Sequence, residues 1–246
     1  MKTCDLVKFS LLSFLMLTLY GTASRAQVLY TVPEGVHTYW SSFENMNGVK
    51  GEGGKENKGA KGHPADQIKA GQTVTLLNVE GAGIIRRIWM TINDCSPEMM
   101  RSLRIDMYWD GVDKPAVSAP LGDFFGIGLG RKVAFQNALF ADPEGRYFNC
   151  FIPMPFKTVA KVNITNESVK NLDALFFDID WTKHTKLTEE TLYFHAYWNR
   201  ENPTILGQDL MKGYPSKLPA FSFPNLVYET NASGFENQMG PYFRIR

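Results

Sequence analysis

The chain has 246 residues, 44% of them hydrophobic and 21% charged, with 26 basic against 25 acidic side chains. That composition is typical of a soluble globular protein, and the length suffices for one large all-β domain or two small ones. A net charge of +1 with no long basic run excludes nucleic acid or an anionic membrane surface as an electrostatic partner and favours a neutral, hydroxyl-rich ligand.

The first 26 residues predict an export signal. Lys2 and Lys8 precede the apolar run Leu11 to Tyr20, and Ser24-Arg25-Ala26 offers small residues for cleavage near Ala26. The run is too short for a membrane-spanning helix. The mature chain is therefore expected from about Gln27, in the periplasm or outside the cell. There Cys95 and Cys150 could pair as a disulfide or remain as two buried thiols, since spacing alone does not decide.

Residues 41–63 suit neither a strand nor a helix. Gly48, Gly51, Gly53, Gly54, Gly59 and Gly62 alternate there with Glu44, Lys50, Glu52, Lys55, Glu56, Asn57, Lys58 and Lys61. Such a stretch is either a loop that holds a polar ligand or a solvated linker. Trp40, Phe43, His63 and Pro64 have no reason to stand in a pure linker.

Beyond the loop, Thr73–Glu80 and Ile84–Ile92 are rich in β-branched residues and flank a glycine turn, which predicts two strands paired as a hairpin. Ser96-Pro97-Glu98 starts a short helical turn or a longer loop. Leu103–Trp109 alternates at period two, and Asp110-Gly111 supplies a turn that tolerates positive φ. In Leu121–Gly130, two phenylalanines and Asp123 between glycines fit a ligand-contacting loop or an aromatic plug. Tyr147–Ile152 is a strand expected to end at Pro153-Met-Pro-Phe156. Val159–Thr165, Leu172–Trp181 and Thr191–Trp198 are three more strands. Short strands at this spacing, without a long helix, predict an antiparallel β-sandwich or jelly roll over 27–207. Residues 208–246 show no sustained period and are expected to be an irregular tail.

Ser41-Ser42-Phe43-Glu44, Gly54 to Gly62, Gly81 to Trp89, Gly122-Asp-Phe-Phe-Gly126, Pro153-Met-Pro-Phe156 and Phe194 to Pro203 together resemble one family of secreted bacterial proteins. It was long a domain of unknown function and includes difructose-anhydride synthase/hydrolases and arabinofuranosidases. The resemblance covers about Ser41 to Asp209. It implies two jelly rolls in tandem, trimer-based homo-oligomers with active sites near subunit boundaries, and glycoside hydrolysis at furanosidic linkages without metal or organic cofactor. The family's catalytic carboxylates lie in motifs similar to Trp-Trp-Gly-Glu-Gly and Gly-Thr-Glu-Asp-Tyr, and neither motif occurs in this sequence. The resemblance thus assigns no catalytic residue, and it implies that 208–246 is a truncated or frameshifted start of the second jelly roll.

The candidate carbohydrate contacts are Lys55, Glu56 and Asn57 in the glycine loop, Asp123, Trp198, and Arg200, Glu201 and Asn202 before Pro203. A non-catalytic carbohydrate-binding or assembly module is the alternative to a hydrolase. His37, His63, His184 and His195 lack the paired spacing of a zinc site.

Overall fold

The structure is a computed structural model that describes residues 31, 33–60, 62–200 and 242–245. The expected export signal, Glu201, Asn202 and residues 208–241 lie outside the described residues.

In chain order the strands begin with β1 (Val36–Ser41), β2 (Asp66–Ile68), β3 (Thr73–Glu80), β4 (Gly83–Ile92) and β5 (Leu103–Trp109). The next are β6 (Val117–Pro120), β7 (Phe135–Gln136), β8 (Phe140–Asp142), β9 (Phe148–Cys150) and β10 (Met154–Phe156). The last four are β11 (Val159–Asn166), β12 (Leu172–His184), β13 (Phe194–Tyr197) and β14 (Tyr242–Ile245). Two short helices, α1 (Pro97–Ser102) and α2 (Leu121–Phe124), flank β5 and β6 in sequence.

The strands form two sheets, a β-sandwich of the jelly-roll class. The first has the order β1-β12-β4-β9-β8-β7, with β2 on β12 and β10 on β4; the second has the order β14-β13-β6-β5-β11-β3. Pairing is antiparallel except between β13 and β6, which run parallel. The backbone of β14 adds a strand to β13 at the edge of the second sheet.

Side chains alternate across each strand, so every second residue enters the space between the sheets. Leu175, Phe177, Ile179 and Trp181 of β12 and Ile85, Ile88, Met90 and Ile92 of β4 are buried, as are Ala160, Val162 and Ile164 of β11 and Leu103, Ile105, Met107 and Trp109 of β5. Each fully buried aliphatic or aromatic side chain stabilises the fold by about 1.5–3 kcal/mol, so this layer is the main stabilising term. The step from Ile85 to Ile88 breaks the period of two. Asp180 faces Arg87 while Trp181 faces Ile85, so Arg86 is the extra residue of a β-bulge.

The expected hairpin of Thr73–Glu80 with Ile84–Ile92 is not formed. β3 pairs with β11 in the second sheet, and β4 pairs with β12, β9 and β10 in the first. The turn at Gly81, φ +98°, therefore carries the chain across the core from one sheet to the other. A glycine turn between two apolar runs serves a crossover as well as a hairpin. Nor does Pro153-Met-Pro-Phe156 end strand structure. Met154–Phe156 is itself a strand on the end of β4, with Pro155 opposite Ile84. Having a single neighbour, β10 tolerates a residue without an N–H.

Other local expectations match. Ser96 caps α1 by accepting from the Met99 N–H, with Pro97 in its first turn. Asp110 and Gly111 both have positive φ. Asp110 Oδ1 accepts from the N–H groups of Lys157, Thr158 and Val159, fixing that turn to the start of β11. Cys95 and Cys150 are free thiols, and burial pushes the Cys150 thiol up to about 12.

Candidate functional site

The candidate residues fall into two groups that share no side chain. The glycine loop leaves β1 at Ser41 and folds back at once: Asn45 closes on both the N–H and the C=O of Val49 through its side chain. Gly48 has φ +62°, a conformation strained for any side chain, and a Cβ there would stand 3.3 Å from the Trp40 carbonyl, so the loop packs closely on the end of β1. Residues 56–59 form a kinked turn with Asn57 and Lys58 in the left-handed region.

The polar groups of this loop are tied mainly to one another. Lys55 Nζ lies 2.6 Å from Glu52 Oε1, and Asn57 Nδ2 donates to the Ala60 carbonyl at 2.9 Å. Glu56 stands 3.6 Å from His63 Nδ1, while His63 Nε2 is 2.7 Å from Asp66. His63 stacks on Phe43, which meets Phe177 of the core edge-on, so the imidazole joins the loop to the sandwich. The hydrogen bond with Asp66 raises the His63 pKa above its ordinary value; the charges of Asp66, Glu56 and Glu44 add to this, and partial burial opposes it.

Asp123 and Trp198 form the second group, together with Arg101, a residue that sequence reasoning missed. Asp123 is buried in α2 at 2% exposure, and Arg101 Nε of α1 lies 2.5 Å from its Oδ2. Trp198 also hydrogen-bonds the carboxylate, and its ring lies 5.8 Å from the Arg101 guanidinium carbon. Burial pushes the Asp123 carboxyl up, while Arg101 and Trp198 hold it down. Phe124 and Phe125 are fully buried and meet edge-to-face; Phe124 also meets Phe140 edge-on, while Phe125 stacks on Phe148. Phe124 and Phe125 thus pack as an aromatic plug, and Asp123 links α1, α2 and the residue after β13 through Arg101 and Trp198. Arg200 is exposed.

No sequence signal marked Arg101, because its partner is 22 positions away and the pairing exists only once α1 and α2 pack. Among the described residues, no group of three or more His, Cys, Asp or Glu side chains is placed to hold a metal ion. Nor is any helix among them long and apolar enough to cross a membrane.

The outer face of the first sheet is a third surface. Trp40 is 58% exposed there, directly opposite Asp180, which is opposite Arg87. The next cross-strand pair is Asp178 with Trp89.

Two packed sheets joined by crossovers, with a polar loop at one edge, define a β-sandwich protein of jelly-roll type. Residues 61–179, from the end of the glycine loop through part of β12, match the family model described as GH172 domain-like. The match covers just under half of the chain, and this segment is similar to that family, in line with the motifs Gly81–Trp89, Gly122–Gly126 and Pro153–Phe156 that lie inside it. A comparison with curated proteins gives no match. Among solved structures, the VP2 subviral particle of infectious bursal disease virus is similar at 12% identity and a TM-score of 0.31, over 62% of this chain and 34% of the viral one. This chain thus spans about a third of that viral chain.

Proposed function

We propose that the protein is an exported carbohydrate-active protein, related to glycoside hydrolase family 172, that recognises furanosidic linkages of the fructofuranose or arabinofuranose type. The single observation behind this reading is the match of residues 61–179 to the GH172 domain-like model. The balanced charge agrees with a neutral glycan as ligand.

Glycosidases hold two carboxyl groups across the scissile bond, about 5–5.5 Å apart when retaining and about 6.5–9.5 Å apart when inverting. Glu52 is tied to Lys55 and Glu56 faces His63, and this pairing favours a holding role over catalysis for the loop carboxylates. Asp123 is buried on Arg101. The part of the sandwich in this reading is therefore to hold the glycan. A non-catalytic carbohydrate-binding module is the second reading, favoured by this same mutual pairing of the loop charges.

The test is to incubate the purified full chain with arabinan and inulin-type fructan, following binding by affinity electrophoresis and sugar release by chromatography. Sugar release that stops in Glu52→Gln or Glu56→Gln would place chemistry in the loop, and release that persists in both would place it elsewhere. Binding without release selects the binding module. If neither polymer is bound nor cleaved, the carbohydrate reading is wrong.

A further inference from the structure

The outer face of the first sheet carries aromatic and charged side chains in register. Trp40 of β1, Asp180 of β12 and Arg87 of β4 stand side by side across three strands. One step along, Asp178 faces Trp89, and beyond it Phe176 faces Thr91. With strands about 4.8 Å apart and same-face residues about 6.8 Å apart, Trp40 and Trp89 are separated by roughly 12 Å. That is the reach of a short oligosaccharide and more than one ring needs.

The charges between the two indoles are organised by one guanidinium. Arg87 Nε lies 2.7 Å from Asp180 Oδ2, and its Nη2 lies 4.0 Å from Asp178 Oδ2. The Arg87, Asp178 and Asp180 side chains are still 36%, 22% and 38% exposed, so water or a ligand reaches all three. A sugar hydroxyl both donates and accepts, and a fixed donor flanked by two carboxylates offers both roles. The apolar C–H face of a sugar ring packs on an indole, whose flat surface is largely exposed at Trp40. One cation against two carboxylates leaves no positive excess, which disfavours a uronate or sulfated polymer. A protein partner fits less well, because protein interface cores are depleted of aspartate and this centre holds two, Asp178 and Asp180.

We propose that this face binds a neutral oligosaccharide, with Trp40 and Trp89 stacking on sugar rings while Arg87, Asp178 and Asp180 hydrogen-bond its hydroxyls. The proposal rests on the carbohydrate reading above and puts the glycan on the sheet face instead of in the glycine loop. The outer face of the second sheet also sets one guanidinium, Arg104, between two carboxylates, Asp106 and Glu167, near Tyr108, but Lys161 covers the Tyr108 ring and, among the described residues, no tryptophan stands on that face.

The experiment measures binding of the full chain to neutral arabino- and fructo-oligosaccharides, and to polygalacturonate, by calorimetry and affinity electrophoresis. Trp40→Ala should weaken neutral-glycan binding by about tenfold or more with an unchanged melting temperature, since the indole is mostly in solvent. Arg87→Gln should weaken it further than Tyr197→Ala, a control on the outer face of the second sheet that should leave binding as it was. Unchanged binding in both Trp40→Ala and Arg87→Gln overturns the proposal while leaving the carbohydrate reading intact. Preference for polygalacturonate overturns it as well. So does an oligomer, seen by light scattering, that Trp40→Ala dissociates, because a second copy would then cover the face. If the wild type binds no neutral glycan at all, the proposal and the reading beneath it fail together.

Discussion

The glycine loop and the α1–α2 corner invite the same interpretation in sequence, since each offers carboxylates and aromatics among glycines. In space they are opposites. The loop holds its charges at the surface, with Lys55 and Glu52 both more than half exposed, whereas the corner holds Asp123 at 2% exposure against Arg101. The difference is what surrounds the carboxylate. Water solvates Glu52 whether or not Lys55 is near, so their pairing contributes little. Asp123 has given up its hydration, and Arg101 and Trp198 must replace it.

That contrast orders the effects of substitution. Asp123→Ala removes the buried carboxylate that faces the Arg101 guanidinium and should lower unfolding free energy by about 3 kcal/mol, read from urea denaturation. A loss under 1 kcal/mol would mean that water reaches the corner and that it resembles the loop after all. Trp198→Phe keeps a ring beside Arg101 but removes the indole N–H that helps hold the carboxylate. It should cost about 1 kcal/mol in the same assay. In the loop, Lys55→Gln should shift stability by no more than about 0.5 kcal/mol.

The two regions also show what was legible before any coordinates. Alternation in Leu103–Trp109 and Val159–Thr165 exposes which residues enter the core, because a period of two belongs to one strand and its own neighbours. Even there Asp106, on the outward parity of β5, is only 3% exposed, covered by Ser118 and Arg104 from its own sheet. Partner choice is different in kind. Gly81-Ala-Gly83 is compatible with a hairpin or a crossover, and the decision lies with β11 (Val159–Asn166) and β12 (Leu172–His184), far along the chain. Pro155 likewise reads as a strand breaker until β10 is known to have one neighbour. At the corner, the choice between plug and ligand contact depends on Arg101 and Trp198, which reach Asp123 from opposite sides of the sequence. The ion pair of Arg87 with Asp180 spans 93 positions and had no local signature. In the glycine loop, by contrast, Asn45 with Val49 and Lys55 with Glu52 are short-range pairs, yet composition said nothing of which charges would meet.

The smallest effect should appear at His63, where the loop most nearly borrows the logic of the corner. Its imidazole faces Asp66 and Glu56 directly, with Glu44 adding to the field, and it stacks on Phe43. These contacts favour the imidazolium, so the folded pKa lies above the ordinary histidine value. A group whose pKa is raised by folding contributes its stabilisation fully below the unfolded value, about 6.5, and loses it as pH rises through the folded value. The loop should therefore be held more firmly at pH 6 than at pH 8. Because His63 is about a third exposed, solvent screens the pair and the global unfolding midpoint should barely move. The signal is local: amide exchange over 51–62, corrected for the intrinsic pH dependence, should be slower at pH 6 in the wild type. In His63→Gln, which keeps a hydrogen-bonding side chain without a titrating charge, the difference between the two pH values should vanish. If it persists there, the imidazolium is not what ties the glycine loop to the core, and the loop is held by Phe43 on Phe177 and by Gly48 against the end of β1.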